Sequence, residues 1–373
     1  MKIDIKTNKL YDKGIRLILE NFVSKGISMN IRMNKEYVLK TAKQLLEFNS
    51  PSGFCFEIME LIQSWTKSLG YQFETTNKGC GVITIPGKSN EQVVGLSAHV
   101  DTLGAMVRSV TSKGTLKFTV IGGPIVPTLD GEYCQIRTRE GKIYSGTFLS
   151  TSPSIHVFED SKTKKRDPEN MEVRIDECVK SKEDVTNLGI GPGDFIFFDP
   201  KTTITESGFI KSRFIDDKAS VACLLGLLEL FKRENIVPTY TTKLFISTYE
   251  EVGHGSSYIP ADITELISVD MGCIGDDLSC TEYDVSICAK DSGGPYDYNM
   301  TTDLVNLAKQ NGLNYAVDIY PMYGSDTVAA LRGGQDIRGA LIGPGVHASH
   351  GMERTHYNAM ENTMKLLYLY LTK

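Results

Sequence analysis

Several signatures that settle function early are missing from this 373-residue sequence. None of its eight cysteines stands in a C-x-x-C pair, which excludes a cysteine-built zinc site and a dithiol redox motif. Scattered thiols in a chain this long read as reduced and intracellular. No H-E-x-x-H or G-x-S-x-G occurs, so neither a zinc-protease helix nor a nucleophile elbow is present. The "GKS" at 87–89 has Val82 where a phosphate-binding loop needs glycine. Positive charge is outnumbered, by 46 acidic residues to 40 basic ones. The net charge is −6, and the one dense basic run, "KTKKR" from Lys162, sits between Asp160 and Asp167 as a solvated loop would. Nucleic acid and anionic membrane are thereby poor partners. Long apolar runs are lacking too: charges interrupt every apolar stretch of the N-terminus, so a signal peptide or membrane span is not expected and a cytoplasmic protein is.

What is there has the texture of an interrupted α/β protein. Residues 35–70 carry apolar side chains near helical spacing with a break at "NSPSGF", and "QVVGLSAHVD" (92–101) reads as a buried strand. Residues 104–205 change to short alternating runs punctuated by Gly and Pro, the pattern of a small β module. Val221, Leu224, Leu225 and Leu228 then form one apolar helix face within 217–233. The runs "TKLFISTYEE" and "ELISVDMG" follow as strands, and "MENTMKLLYLYL" as a last helix. Helices alternating with buried strands predict a mixed or parallel sheet.

Four of these segments end in side chains able to hold metal: His99 with Asp101, Asp216 with Asp217, Glu250 with Glu251, and Asp270. Each alone has a commoner use, as a core histidine, a helix cap, a solvated turn or a strand end. Together, at strand ends where open α/β sheets bind ligands, they predict one site. His347, His350 and His356 in "HASHGMERTH" offer a further donor. A neutral His and a carboxylate at each end with a shared carboxylate between suits two Zn²⁺ or Co²⁺ ions. Such a site also needs a base that is not a ligand. Alternate strand residues point to opposite sides, so Glu250 and Glu251 at a strand end are expected to part and do different jobs.

These segments, in this order and spacing, resemble the M42 metallo-aminopeptidases, a family that includes glutamyl aminopeptidases and tetrahedral self-compartmentalising peptidases. "SAHVDTLGAMV", "RFIDDKAS", "YEEVG" and "ISVDMG" carry the likeness, with "VIGG" (120–123) and "IDECVKSKEDVTNLGIGPGDFIFF" (175–198) in the insert. It runs over residues 35–370. The resemblance implies a mixed-sheet, three-layer α/β metallopeptidase domain (31–103 and 206–373) of the phosphorylase/hydrolase-like kind. It further implies an inserted β-barrel, PDZ-like dimerisation domain (104–205), and residues 1–30 stand as an N-terminal extension. Carried over residue by residue, it implies that His99, Asp216 and Asp270 hold one metal and Asp216, Glu251 and His350 the other. Asp101 orients His99, and Glu250 is the base that activates the bridging water. A cis peptide at Asp216–Asp217, short peptide substrates, and a homo-oligomer built from dimers, up to a dodecamer, are implied as well. The last ligand departs from the tyrosine–isoleucine–histidine–serine–proline setting of many relatives, which leaves His347 and His356 as alternatives to His350. Other readings are an amidohydrolase or deacylase on a non-peptide amide, and a non-catalytic assembly protein. A glucanase is discounted, because glycoside hydrolysis works through a carboxylate pair without metal.

Overall fold

The computed structural model describes residues 31–373; the expected N-terminal extension, residues 1–30, lies outside the described residues. Helix α1 (Lys35–Leu46) buries Val38, Thr41, Ala42 and Leu45 along one stripe, and the Asn34 side chain caps it by accepting the Tyr37 N–H at 3.1 Å. Helix α2 (Phe56–Ser68) and strands β1 (Gln72–Thr75), β2 (Gly81–Ile85) and β3 (Ser89–His99) follow.

Six strands then close into a barrel: β4 (Gly104–Val110), β5 (Leu116–Ile121), β6 (Tyr133–Arg137), β7 (Ile143–Ser150), β8 (Met171–Ile175) and β9 (Phe195–Phe198), in the order β4-β5-β8-β7-β6-β9. Alternate residues fill its interior, where Phe118 and Phe148 pack edge-to-face at 4.9 Å and Ile136, Val173 and Ile196 are fully buried. Helix α3 (Lys182–Asn187) lies between β8 and β9 and opens on a capping box made by Ser181 and Asp184.

Strands β10 (Thr203–Ile204) and β11 (Phe209–Ser212) lead into helix α4 (Ile215–Arg233). The chain continues through β12 (Tyr240–Ser247), β13 (Glu265–Val269), β14 (Gly272–Cys273), β15 (Val285–Asp291) and β16 (Gly294–Pro295). Helix α5 (Tyr298–Gln310), β17 (Tyr315–Ile319), helix α6 (Asp326–Arg332), β18 (Arg338–Val346), β19 (Glu353–His356) and helix α7 (Tyr357–Thr372) complete it.

Ten strands build the main sheet, in the order β1-β2-β12-β3-β13-β18-β15-β16, with β14 on β18 and β17 on β15. Helices cover both of its faces. Glu265 accepts from the Tyr370 hydroxyl of α7, whereas its neighbour Leu266 packs with Ala330 of α6; successive strand residues face opposite ways, so α6 and α7 lie on opposite sides. The expected mixed-sheet, three-layer α/β architecture with an inserted barrel is therefore what the chain adopts. Helix α4 differs from expectation in one respect. Its Val221, Leu224, Leu225 and Leu228 are buried, but so are Ala222, Cys223 and Leu227 on its other sides. The helix lies under α1 and α7 as well as against the sheet: Gly226 leaves room for Val38 and Met364, which a Cβ there would meet at 2.6 and 2.9 Å.

Topology sets where the site forms. β12 and β13 both run parallel to β3, with Ser247 opposite His99 and Ser268 opposite Ser97. Their carboxyl ends emerge at one edge of the sheet. A second, three-stranded sheet, β10-β11-β19, pairs Ser212 with Glu353 and so brings the start of α4 beside the segment carrying His350.

Candidate metal centre

His99, Asp216, Glu250, Glu251, Asp270 and His350 converge at that edge. The His99 Nε2 lies 3.2 Å from Asp216 Oδ1 and 3.6 Å from Glu250 Oε2. The His350 Nε2 lies 3.6 Å from Asp216 Oδ2 and 3.6 Å from Glu251 Oε2. Asp270, directly after β13, joins His99 and Glu250 in one group of donor atoms within 4.8 Å; His99, Asp216 and Glu251 form another. His99, Asp216 and Asp270 are buried. The expected cis peptide is present at Asp216–Asp217, where both residues leave helical dihedrals inside α4.

The imidazoles are held alike. The Nδ1 of His99 is 2.9 Å from the Asp101 carbonyl, and the Nδ1 of His350 is 2.9 Å from the Gly123 carbonyl. A carbonyl only accepts, so each ring carries its N–H on Nδ1 and, when neutral, a bare lone pair on Nε2. Both lone pairs then point at carboxylate oxygens. Acceptors facing acceptors call for a cation between them, and carbonyl-anchored histidines with carboxylates are the donor set that divalent transition metals take. The residues fit a metal centre.

Without a cation the acids are under electrostatic pressure. Burial pushes the Asp270 carboxyl up to about 7, with Asp216 adding to it. Burial likewise raises Glu250, with Asp270 and Asp326 contributing and His99 opposing. Glu251 is raised by burial and by Asp216. Burial works against a charged His99, yet its hydrogen bond to Asp216 and the charges of Glu250 and Asp270 hold it well above its usual range.

Two expectations are corrected by the local structure. Glu250 and Glu251 do not end a strand: β12 stops at Ser247, and the pair begins a 3₁₀ turn, Glu250–Val252, closed by Gly253 at φ 83°. Their divergence toward His99 and toward His350 comes from that turn, not from strand alternation. Asp101 likewise lies beyond β3. Its carbonyl, not its carboxylate, meets the His99 Nδ1; the carboxylate Oδ1 is 3.6 Å away. That carboxylate instead accepts the backbone N–H groups of Glu250 at 3.0 Å and Glu251 at 3.2 Å, and the Ser52 hydroxyl.

Of the three histidines near the C-terminus, His350 is the one brought to the acids. His356 Nε2 is 2.7 Å from the Ser207 carbonyl, and its Nδ1 accepts the Asn358 N–H to cap α7. His347 is exposed and pairs through its backbone with Arg354.

Glu353 escaped the sequence reading. This buried carboxylate accepts the Asp216 N–H and the His350 N–H, both at 2.9 Å, and so fixes two site residues 134 positions apart (350 − 216). It also helps hold His350 at φ 63°. The available signal was its place three residues after His350, on a segment rich in polar groups. A cavity of about 280 Å³ opens in front of the acids, lined further by Tyr323, Asp326, Val328 and Arg332 among others. The segment "GSD" at 324–326 borders this cavity as well.

Residues 79–366 match the family model described as M42 glutamyl aminopeptidase. The chain is 47% identical over 334 residues to "Putative aminopeptidase YhfE" of Bacillus subtilis (strain 168), covering 89% of this chain and 96% of that one. Among solved structures, a TET aminopeptidase from the marine sediment archaeon Thaumarchaeota archaeon SCGC AB-539-E09 superposes with a TM-score of 0.82 at 18% identity, over 91% of this chain and 97% of that one. The Pyrococcus horikoshii TET1 peptidase, described as able to assemble into a tetrahedron or a large octahedral shell, superposes with a TM-score of 0.79 at 20% identity, over 90% and 99%. With its family model matched across most of its length, the chain belongs to the M42 peptidase family.

Proposed function

We propose that this chain is a dinuclear metal-dependent aminopeptidase that removes N-terminal residues from short peptides. One observation carries the proposal: Asp216 turns its two oxygens to two different imidazoles, Oδ1 to His99 and Oδ2 to His350. On this reading His99, Asp216 and Asp270 would hold one ion, and Asp216, Glu251 and His350 the other. The donor set suits Zn²⁺ or Co²⁺. When bound, such a pair polarises the scissile carbonyl and acidifies the attacking water.

The chain's own groups do the rest. Glu250 lines the cavity and stands outside both proposed ligand sets, which suits a base that takes a proton from water and returns it to the departing amine. Asp101 holds the Glu250–Glu251 turn in place through both backbone N–H groups. A cavity walled by carboxylates favours the ammonium of a peptide's free N-terminus over a blocked one. The aminopeptidase names of the relatives point the same way.

We further read residues 104–205 as a dimerisation domain, on the family resemblance and on the apolar side chains it leaves in solvent: Tyr133, Ile143, Ile155 and Val157. Higher assembly of such dimers and a cytoplasmic setting complete the proposal. Among the described residues no helix is long and apolar enough to cross a membrane.

Metal-loaded protein assayed on aminoacyl, N-acylated and glycan substrates tests the activity. Hydrolysis confined to substrates with a free amino terminus is expected. Cleavage of N-acylated amides in preference to them would replace the aminopeptidase reading with a deacylase.

A further inference from the structure

The cavity before the acids has unequal ends. Asp216, Glu250, Glu251 and Asp270 make one end; Arg332 is the sole arginine or lysine among the described residues of its lining. Helix α6 spans the distance between them. It begins at Asp326, whose Oδ1 accepts the Ser256 N–H and lies close to where Gly255 and the Glu250 backbone nitrogen pass, and it ends at Arg332. Val328 and Ala329 line the wall in between. Arg332 is exposed and has no hydrogen-bond or ion-pair partner among the described residues.

We infer that Arg332 binds the C-terminal carboxylate of the substrate, so that the enzyme selects peptides of two or three residues by their length. An acid-walled end and a free guanidinium present a field that aligns a zwitterionic peptide, ammonium toward the acids and carboxylate toward Arg332. A guanidinium grips a carboxylate through two parallel hydrogen bonds. The span fits such a peptide: six helical steps from Asp326 to Arg332 cover about 9 Å, and an extended chain advances roughly 3.3–3.6 Å per residue.

The inference rests on the aminopeptidase reading for the direction in which the substrate lies. Its test compares Ala-Ala-Ala with Ala-Ala-Ala-amide on metal-loaded protein, and Glu-Ala-Ala-amide with Gln-Ala-Ala-amide. The free acid is expected to have a kcat/KM roughly ten- to hundred-fold above its amide, the worth of a charge-assisted hydrogen bond. In Arg332→Gln that ratio falls to near one, and in Arg332→Lys it is intermediate. An acid-to-amide ratio near one in the parent, or a ratio that survives Arg332→Gln, overturns the inference. A Glu-over-Gln preference that Arg332→Gln abolishes also overturns it, by assigning Arg332 to the N-terminal side chain. Calorimetric affinities of the same peptides for metal-loaded Glu250→Gln give the ratio without turnover. The carboxylate site therefore stands or falls separately from the aminopeptidase reading.

Discussion

Asp101 holds Glu250 by the backbone: its fully buried carboxylate accepts the Glu250 N–H at 3.0 Å while its own carbonyl faces the His99 ring. One residue thus ties the end of β3 to the turn carrying both glutamates. An Asp101→Asn variant keeps the carbonyl and the size but has one acceptor oxygen where the carboxylate has two. The turn is expected to shift, and a misplacement of about 1 Å costs on the order of 10²-fold in kcat/KM. Steady-state kinetics at unchanged metal content check this; wild-type kcat/KM in the variant would remove Asp101 from the account.

Glu250→Gln keeps the shape of the site and removes the proton carrier. Loss of general-base help predicts a fall in kcat of roughly 10²–10⁴-fold with metal content retained. If turnover were unchanged, the base would have to be another group.

Glu353→Gln addresses the tie between Asp216 and His350. An amide oxygen cannot serve both N–H groups as two carboxylate oxygens do. Metal affinity is expected to drop by about 10- to 100-fold, the usual cost of losing a group that orients ligands. Calorimetric metal titration well below the melting temperature checks it, since a purely structural role would lower Tm and leave affinity intact.

The pH dependence of stability follows from the raised carboxyls. Asp270 ionises near 3.8 when unfolded and near 7 in the metal-free fold, so the fold binds more protons than the unfolded chain between those values. Glu250, Glu251 and Glu353 are raised as well, by burial first and by neighbouring carboxylates second. Their contribution to stability is full below the unfolded values and is lost as pH rises through the folded ones. Asp216, held low by its hydrogen bond to His99 against the effect of burial, runs the other way. Metal needs its carboxylate ligands Asp216, Glu251 and Asp270 ionised and so gains hold over the same range. The gap in Tm between metal-loaded and metal-free protein is therefore expected to widen as pH rises from about 5 to 8. Paired melting curves in Zn²⁺ and in chelator measure it; a gap that is constant or shrinks with pH contradicts the account.

How far the sequence revealed this depended on chain distance. His99 and Asp270 were legible because each closes a buried strand, and the parallel register of β3 and β13 places those ends together; Glu251 and Asp216 follow such runs but reach the site through a 3₁₀ turn and the small antiparallel sheet. A β insert was legible from alternation between Gly and Pro breaks, whereas its closure into a barrel came only from the family resemblance. The Gly123 carbonyl against His350 and the Glu353 carboxylate against Asp216 were not, for these contacts join residues 227 and 137 positions apart through the barrel and the small sheet. The reach of the Asp101 carboxylate to the Glu250–Glu251 turn was not legible either, because β3 ends at His99 and Asp101 lies beyond the strand that "QVVGLSAHVD" suggests. Arg332 belongs to a short exposed helix end, which no periodicity marks.

Two ions sharing Asp216 are the centre of the account, and metal content measured alongside activity tests it most directly. Protein loaded with Zn²⁺ or Co²⁺, freed of excess and analysed by mass spectrometry, is expected to hold two ions per chain. Exhaustive chelation should abolish aminoacyl hydrolysis, and adding metal back should restore it. Full activity in protein stripped of metal would contradict the account.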